Sequence, residues 1–448
     1  LKQTSALRFD RFAWIVLAVA FLLRVVLVLL FFRTEDALTD DGPFYILIAQ
    51  NPSMLGIEGA VPYAEVSVGP VYPIFLMPFF HLIPDSMPVA QMVAARLAQA
   101  LVDTVTVGLV YLLALSLFDR RVARVAMIAQ ALDARYLVQV GTIHTEPLFI
   151  MLFVAFMLLY TTAATGDDWK RYGVAGLLLG LSILERPVPL LFPVVLGLII
   201  IVNRQNRREA LKGYAWLVGI TLLVIAPWIV RSSIVAGEFV PVASSGMSHF
   251  WRATREDGDV VDNPWTFNQI LSEDLGAEVV DNPVTSSFVT AGLHNILAAP
   301  LQWIARVVQD TVASYLQPFG TVFLNPPTER GAKETVLSFL RGESSLAEVL
   351  AIPGLLRRSL MYIWHYWGLL GGLIGLVLAW RERWRRLLPL VGWVIYGTAV
   401  AAVLLVEPRY LFPLMFVFAV LAAYATVRLW DVLRRQDRPS AAGDGVSA

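Results

Sequence analysis

Apolar runs of fifteen to thirty residues, separated by short charged segments, dominate this chain. A helix needs about 20 consecutive apolar residues to cross the hydrocarbon core. Ten such spans are predicted, at roughly 13–32, 88–118, 121–138, 145–164, 172–186, 187–203, 213–231, 361–380, 387–406 and 410–428. Two of them, 172–186 and 187–203, are short and meet at Glu185-Arg186-Pro187. The stretch 70–83 is apolar but broken by prolines, so it reads as an interfacial or re-entrant piece. The pattern therefore predicts an all-α polytopic membrane protein with about ten transmembrane helices.

Lys and Arg set the expected orientation, because cytoplasmic segments retain an excess of them. With the N-terminus inside, the inner segments hold 20 of the 35 basic residues, among them Arg8, Arg120, Arg121, Arg124, Arg383 and Arg428. The short outer loops hold only Arg33, Arg135, Arg186 and Arg409. This is an N-in, C-in arrangement. It leaves two large outer segments, 33–87 with interfacial helices and about 232–360 with amphipathic ones. In the second, Leu301, Ile304, Ala305, Val308, Thr311, Val312 and Tyr315 share one helical face, which suits a membrane surface. The expected organisation is an N-terminal transmembrane module (1–231) carrying the first outer loop, an extracytoplasmic region (232–360), C-terminal transmembrane helices (361–433) and a disordered cytoplasmic tail (434–448).

Composition narrows the function classes. Charged residues make up 16% of the 448, against about 25% in soluble domains, and the mean hydropathy is +0.65. Net charge is zero, so a nucleic-acid partner has no electrostatic support. The absence of cysteine removes disulfides, thiolate nucleophiles and Cys-ligated zinc. The first run, Ala13 to Phe32, is too long for a signal-peptide core and no small-residue cleavage site follows it, so it reads as a retained helix. Leu1 is not a Met, and residues are expected upstream of it. No phosphate loop, dinucleotide fingerprint, zinc-protease motif or nucleophile elbow is present.

Three groups of residues on the expected outer face could carry chemistry. Asp40-Asp41 follows the first span and precedes the chain-breaking Gly42-Pro43. Adjacent carboxylates in a poorly hydrated site do not both ionise freely, so one could serve as a general base while the other orients a substrate; helix capping by Asp40 is the competing reading. His144 and Glu146 open the fourth span, where a carboxylate also favours the positive helix end. Arg186, Arg231 and Arg409 lie at outer helix ends, Arg409 next to Tyr410. Arginine forks onto phosphate well, although snorkelling to headgroups explains any one of them alone. A divalent ion held by Asp41, His144 and Glu146, with Asp40 beside them, is a further expectation.

The order of these motifs resembles the GT-C membrane glycosyltransferases, in the protein O-mannosyltransferase and aminoarabinose-transferase branch. The resemblance runs through about residue 250 and returns at Glu407 to Pro413. It rests on Asp40-Asp41, Thr145-Glu146-Pro147, Glu185-Arg186-Pro187, Pro227-Trp228 with Arg231, Gly237-Glu238-Phe239, and Arg409-Tyr410 with Pro413. It implies a sugar transferase in the cell membrane that works on the extracytoplasmic face. A polyprenyl-phosphate sugar would be the donor, and a hydroxyl on a protein, lipid or glycan the acceptor. An outer-loop Asp, mapped onto Asp40 or Asp41 with Asp40 preferred, would act as base in an inverting reaction. Glu146 would be the second acid, and Arg186, Arg231 or Arg409 would receive the departing lipid phosphate, with Tyr410 and His144 nearby. The Trp-Asp-containing signature of oligosaccharyltransferases does not appear, which disfavours en bloc glycan transfer. The alternative is a transporter or flippase for a lipid-linked or small anionic substrate. It predicts charged residues at mid-membrane depth, for which Arg24, Arg96 and Asp103, with Gln99 beside it, are the candidates.

Overall fold

A computed structural model describes residues 7–32, 41–57, 68–166, 169–202, 207–255, 270, 272–273, 285–320, 332–352 and 354–436. Asp40 and the acids Glu35, Asp36, Glu58 and Glu65 lie outside the described residues. Every regular element among the described residues is helical. In chain order these are α1 (Arg11–Phe31), α2 (Gly42–Gln50), α3 (Val71–Leu82), α4 (Pro88–Leu117), α5 (Arg120–Leu132), α6 (Ala134–Gln139), α7 (Glu146–Gly166), α8 (Trp169–Glu185) and α9 (Phe192–Val202). They continue as α10 (Arg207–Ala236), α11 (Ser245–Thr254), α12 (Thr285–Ala298), α13 (Pro300–Leu316), α14 (Ala332–Leu340), α15 (Leu346–Leu350), α16 (Leu355–Leu404), α17 (Pro408–Leu411) and α18 (Met415–Gln436). Short 3₁₀ turns at Pro52–Leu55, Val188–Leu191 and Phe412–Leu414 join some of them.

Among the described residues, six helices are long and apolar enough to cross a membrane: α1, α4, α7, α10, α16 and α18. The ten spans expected from the sequence change form at three places. The run 121–138 breaks at Asp133, which ends α5 and caps α6 by accepting from the Arg135 amide at 3.0 Å. A mid-run Asp that can satisfy a helix start competes with helix continuation. The runs 172–186 and 187–203 become the 17-residue α8 and the 11-residue α9, divided by Pro187 and Pro189. The two runs 361–380 and 387–406 merge into the 50-residue α16.

A straight helix of that length would be about 75 Å long, more than twice the hydrocarbon thickness. Its contacts show that it doubles back. Gly372 and Gly375 sit against Phe418 and Leu421 of α18, and Glu382 approaches Arg428, in parallel order. Farther along, Trp393 donates to the Pro413 carbonyl and Gly397 meets Leu414, so the chain has returned from Arg428 to the turn that precedes α18. The reversal falls at Arg381–Arg386, the basic segment between the two expected spans, with Pro389 just beyond. At Gly375 an added Cβ would fall on the Leu421 carbonyl, so only glycine permits this approach.

The charged residues inside the bundle pair across helices. Arg24 of α1 donates to Asp103 of α4 at 2.6 Å and to the Ala131 carbonyl at 3.2 Å. Arg96 donates to the Phe32 carbonyl, and Gln99 accepts from Tyr72 while donating to the Thr142 carbonyl. Arg24, Arg96, Gln99 and Asp103 are all buried. They tie α1, α3, α4 and the 131–142 segment together, and a buried pair of this kind is costly to break from one side. At one end of the bundle Asp10 meets Arg124, Arg121 meets Asp431, and Arg383 donates to the Leu117 carbonyl. The starts of α2, α7 and α17 and the end of α8 gather at the other end.

On α13 the expected apolar face is only partly available. Leu301, Ile304, Val308 and Val312 are exposed, whereas Tyr315 turns inward to Thr398 at 2.6 Å.

Candidate active site

Glu146 forms the centre of the ionic site. It occupies the first turn of α7 and is completely buried. Its Oε1 accepts from Arg186 Nη1 at 2.6 Å and from Arg409 Nε at 2.6 Å. Arg186 follows the last residue of α8, where Pro187 stops the helix. Arg409 is held by α17, a single turn started by Pro408. Arg409 Nη1 reaches on to Asp41 Oδ2, also at 2.6 Å. Charges from four separate segments therefore form one chain, Arg186–Glu146–Arg409–Asp41.

These groups differ in exposure, and the difference assigns their roles. Asp41 has a side chain 44% exposed and lines a cavity of about 520 Å³. Arg186, Arg409 and Tyr410 line the same cavity, together with Thr145, Tyr45 and Glu185. Glu146 and His144 are not among its lining residues. Glu146, expected as the second acid of the site, stands behind the two arginines and accepts from both. His144 Nδ1 lies 3.8 Å from Glu146 Oε2. Burial holds the imidazole below the usual histidine range despite Glu146, so it is neutral at pH 7 and packs beside the carboxylate.

Arg231, expected at the phosphate, is elsewhere. Its guanidinium lies over the Trp228 ring and donates to the carbonyls of Met54 and Gly56, anchoring the turn after α2. The expected metal set also fails to form. Asp41 and Glu146 are bridged by the Arg409 cation, and no three His, Asp or Glu residues among the described residues converge as metal ligands. A divalent ion placed between them would meet two guanidinium groups at close range, so these residues do not fit a metal.

Beyond its ionic end the cavity continues along an apolar wall. One side is the 3₁₀ turn with Val188, Leu190 and Leu191; the other is the second arm of α16, with Ala399, Val400, Val403 and Leu404. Tyr396 joins the two sides, donating to the Val188 carbonyl at 2.7 Å and accepting from the Leu191 amide at 3.1 Å. Leu191 and Val403 are exposed on the flank of the bundle, so the wall opens to the side.

Two lining residues were not singled out from the sequence. His249, on α11, stacks near Tyr410 with ring centroids 5.7 Å apart. A lone histidine in a long insertion carries no spacing signal. Glu185 is buried, and neither carboxylate oxygen has a hydrogen-bond partner. Its place in Glu185-Arg186-Pro187 was legible; its isolation was not.

Residues 67–230 match the family of dolichyl-phosphate-mannose-protein mannosyltransferases. That stretch holds Glu146 and Arg186 but not Asp41 or Arg409. No curated protein sequence matches the chain. Among solved structures, the oligosaccharyltransferase of Archaeoglobus fulgidus in its apo form is similar, with a TM-score of 0.55, 14% identity, and 97% of this chain against 53% of that one. The archaeal oligosaccharyltransferase AglB from the same organism, in complex with an inhibitory peptide and a dolichol-phosphate, gives 0.51 at 15% identity, covering 98% and 53%. ArnT from Cupriavidus metallidurans bound to undecaprenyl phosphate is a weaker likeness, at 0.38 and 15%, covering 94% and 79%. The chain spans about half the length of the oligosaccharyltransferases. The chain thus shares the fold of the archaeal oligosaccharyltransferase, its residues 67–230 match the mannosyltransferase family, and its apolar helices make it a multi-pass membrane protein.

Proposed function

We propose that the chain transfers a sugar from a polyprenyl-phosphate donor to an acceptor hydroxyl, on the extracytoplasmic face of the cell membrane, with inversion at the sugar. The observation that carries this reading is the two-part cavity. One end presents arginines and a carboxylate, and the other is an apolar wall open to the side of the bundle. A ligand with an anionic head and a long hydrocarbon tail matches both ends, and neither end alone calls for one. The dolichol-phosphate held by AglB, a protein of the same fold, supports the same class of donor. Sidedness is supported by the basic cluster of Arg121, Arg124 and Arg383 at the opposite end of the bundle.

In the transfer, the acceptor oxygen forms a bond to the sugar C1 while the bond from C1 to the phosphate oxygen breaks. The bonding pair leaves with the lipid phosphate, and the hydroxyl proton passes to a carboxylate. Of the two described carboxylates that line the cavity, Asp41 is the exposed one and Glu185 is buried; among the described residues the Asp41 Oδ1 has no partner beside the Oδ2 that holds Arg409. Among the described residues no hydrogen bond engages Nε or Nη2 of Arg186, or Nη2 of Arg409. These donors can receive the charge that develops on the phosphate, already aimed before the reaction starts. The lateral opening at Leu191 and Val403 would give membrane lipids access to the groove when the donor is absent.

The experiment uses purified protein in lipid with a panel of radiolabelled polyprenyl-phosphate sugars. Release of label by wild type, lost in Asp41→Asn with the fold intact, is the expected result. Loss in Asp40→Asn but not Asp41→Asn would move the base by one residue. A wild type that neither binds nor consumes any lipid of the panel would overturn the donor reading. The transporter reading draws no support from Arg24, Arg96 and Asp103, because each is already bonded across helices.

A further inference from the structure

The paired charges at the ionic end cancel when the cavity is empty, Asp41 and Glu146 facing Arg186 and Arg409, and Glu185 on the same wall adds no cation. On the proposed reaction, the donor phosphodiester brings one negative charge, and the released lipid phosphate carries up to two near neutral pH. A low-dielectric site that takes on this charge without a new cation is strongly disfavoured. Among the described residues, His249 is the one remaining group on the cavity wall that can supply it. Ser245, Gly246 and Met247 of the same helix roof the cavity, and the His249 ring packs on Tyr410, which also carries the Arg186 guanidinium 5.6 Å above its ring. No hydrogen bond within the described residues claims either imidazole nitrogen.

We propose that His249 is a conditional cation of the phosphate subsite, neutral when the cavity is empty and protonated when a lipid phosphate is bound. The inference rests on the donor reading above. Phosphate binding then takes a proton from solvent, and the imidazolium N–H donates to a phosphate oxygen. The groups that face His249 are Asp41 before α2, Arg186 after α8, Arg409 and Tyr410 of α17, and Arg252 on its own helix. The packed helix α12 adds only the exposed His294, and the cavity-lining part of the second arm of α16 adds Tyr396 and otherwise uncharged residues. In the empty site burial, reinforced by Arg252, Arg409 and Arg186 against Asp41, pushes the imidazole down to about 4. A bound phosphate reverses the sign of its surroundings. The folded, empty protein is therefore unprotonated above pH 4, and lipid affinity rises as pH falls through the raised value of the complex.

The test measures binding of undecaprenyl phosphate to wild type, His249→Gln and His249→Lys in lipid nanodiscs from pH 5.5 to 7.5. If occupancy restores an ordinary histidine value, wild type tightens by about tenfold more than His249→Gln over this range. At pH 6, calorimetry in buffers of different ionisation enthalpy reads proton uptake in wild type beyond that in His249→Gln. His249→Lys, a standing cation, binds tightly with the pH response of the Gln variant. Equal pH responses in wild type and His249→Gln would overturn the proposal while leaving the donor reading intact. A wild type that binds no lipid phosphate at any pH would remove the donor reading itself, and the proposal with it.

Discussion

Replacing Glu146 by Gln tests the assignment of this residue as a buried counter-ion. The change keeps the shape of the side chain and removes its charge. Arg409 retains Asp41 at 2.6 Å, so the charge left without an ionic partner among the described residues is mainly that of Arg186, which is nearly buried and otherwise meets Thr145 at 3.4 Å and the Tyr410 ring. Breaking a buried ion pair from one side costs about 3–5 kcal/mol. The retained Asp41 contact puts this case near the lower end, about 3 kcal/mol, still a large share of a typical folding free energy of about 5–15 kcal/mol. The readout is the thermal midpoint in lipid, with donor binding measured alongside. Arg186→Met alone strands Glu146 less severely, because Arg409 still holds it. The double variant Glu146→Gln with Arg186→Met should lose less than the two single changes added together, by more than about 1 kcal/mol. Strict additivity, or a Glu146→Gln protein with wild-type midpoint and wild-type lipid affinity, would refute the counter-ion role.

Four further expectations follow from the same geometry. Asp41→Asn should lower turnover by about 10²–10⁴-fold while lipid-phosphate binding persists, and a variant that loses binding and turnover together would mark Asp41 as a binding group instead. Val400→Trp, on the apolar wall, should raise KM for long-chain donors and leave a short-chain analogue unaffected; equal effects on both would show that the tail lies elsewhere. Arg24→Met should destabilise by about 3–5 kcal/mol, whereas Arg24→Met with Asp103→Leu should recover most of that loss and keep transfer activity. If that double variant is stable but inactive, the pair has a functional part that a purely structural role does not explain. Arg231→Ala should lower stability by about 1–3 kcal/mol through the two carbonyls it leaves. Donor affinity should be retained if Arg231 is not a phosphate ligand, as measured by lipid binding at fixed salt.

The sequence made the polar end of the site readable because helix ends announce themselves. Pro187 after Arg186, Pro408 before Arg409 and Gly42-Pro43 after Asp41 each mark a place where a span stops and a charge can sit outside the hydrocarbon. Their expected common depth put Asp41, Glu146, Arg186 and Arg409 at one level, and ion pairs join the four. Depth does not say which side chain stands in front of which. Glu146 and Arg231 were legible as charges at the outer face, but only the packing shows one behind the arginines and the other on the Met54–Gly56 turn. The fold-back of α16 at Arg381–Arg386 was legible as a basic segment between two apolar runs. Hydropathy measures how apolar a run is, and it has no information on Asp133 ending a helix.

The placement of charge also explains why α11 and α17 matter more than their size suggests. A site that handles a lipid phosphate has to bring several cations to one point near the hydrocarbon, where unpaired charge is costly. Here the long helices supply one acid, Glu146 at the start of α7, while the cations come from the connections: Arg186 after α8 and Arg409 on the four-residue α17. Each short element is fixed by its ion pairs more than by its own hydrogen bonds. Removing a charge should therefore displace backbone as well as side chain. Arg409→Lys is the sharpest case. Lysine keeps the charge, but a single ammonium lacks the fork that reaches Glu146 and Asp41 at once. The expected outcome is retained folding with donor affinity and turnover both reduced by tenfold or more, read in the lipid assay described for Asp41. Wild-type kinetics in Arg409→Lys would mean that charge alone suffices at this position, and that the two-armed geometry is not what organises the site.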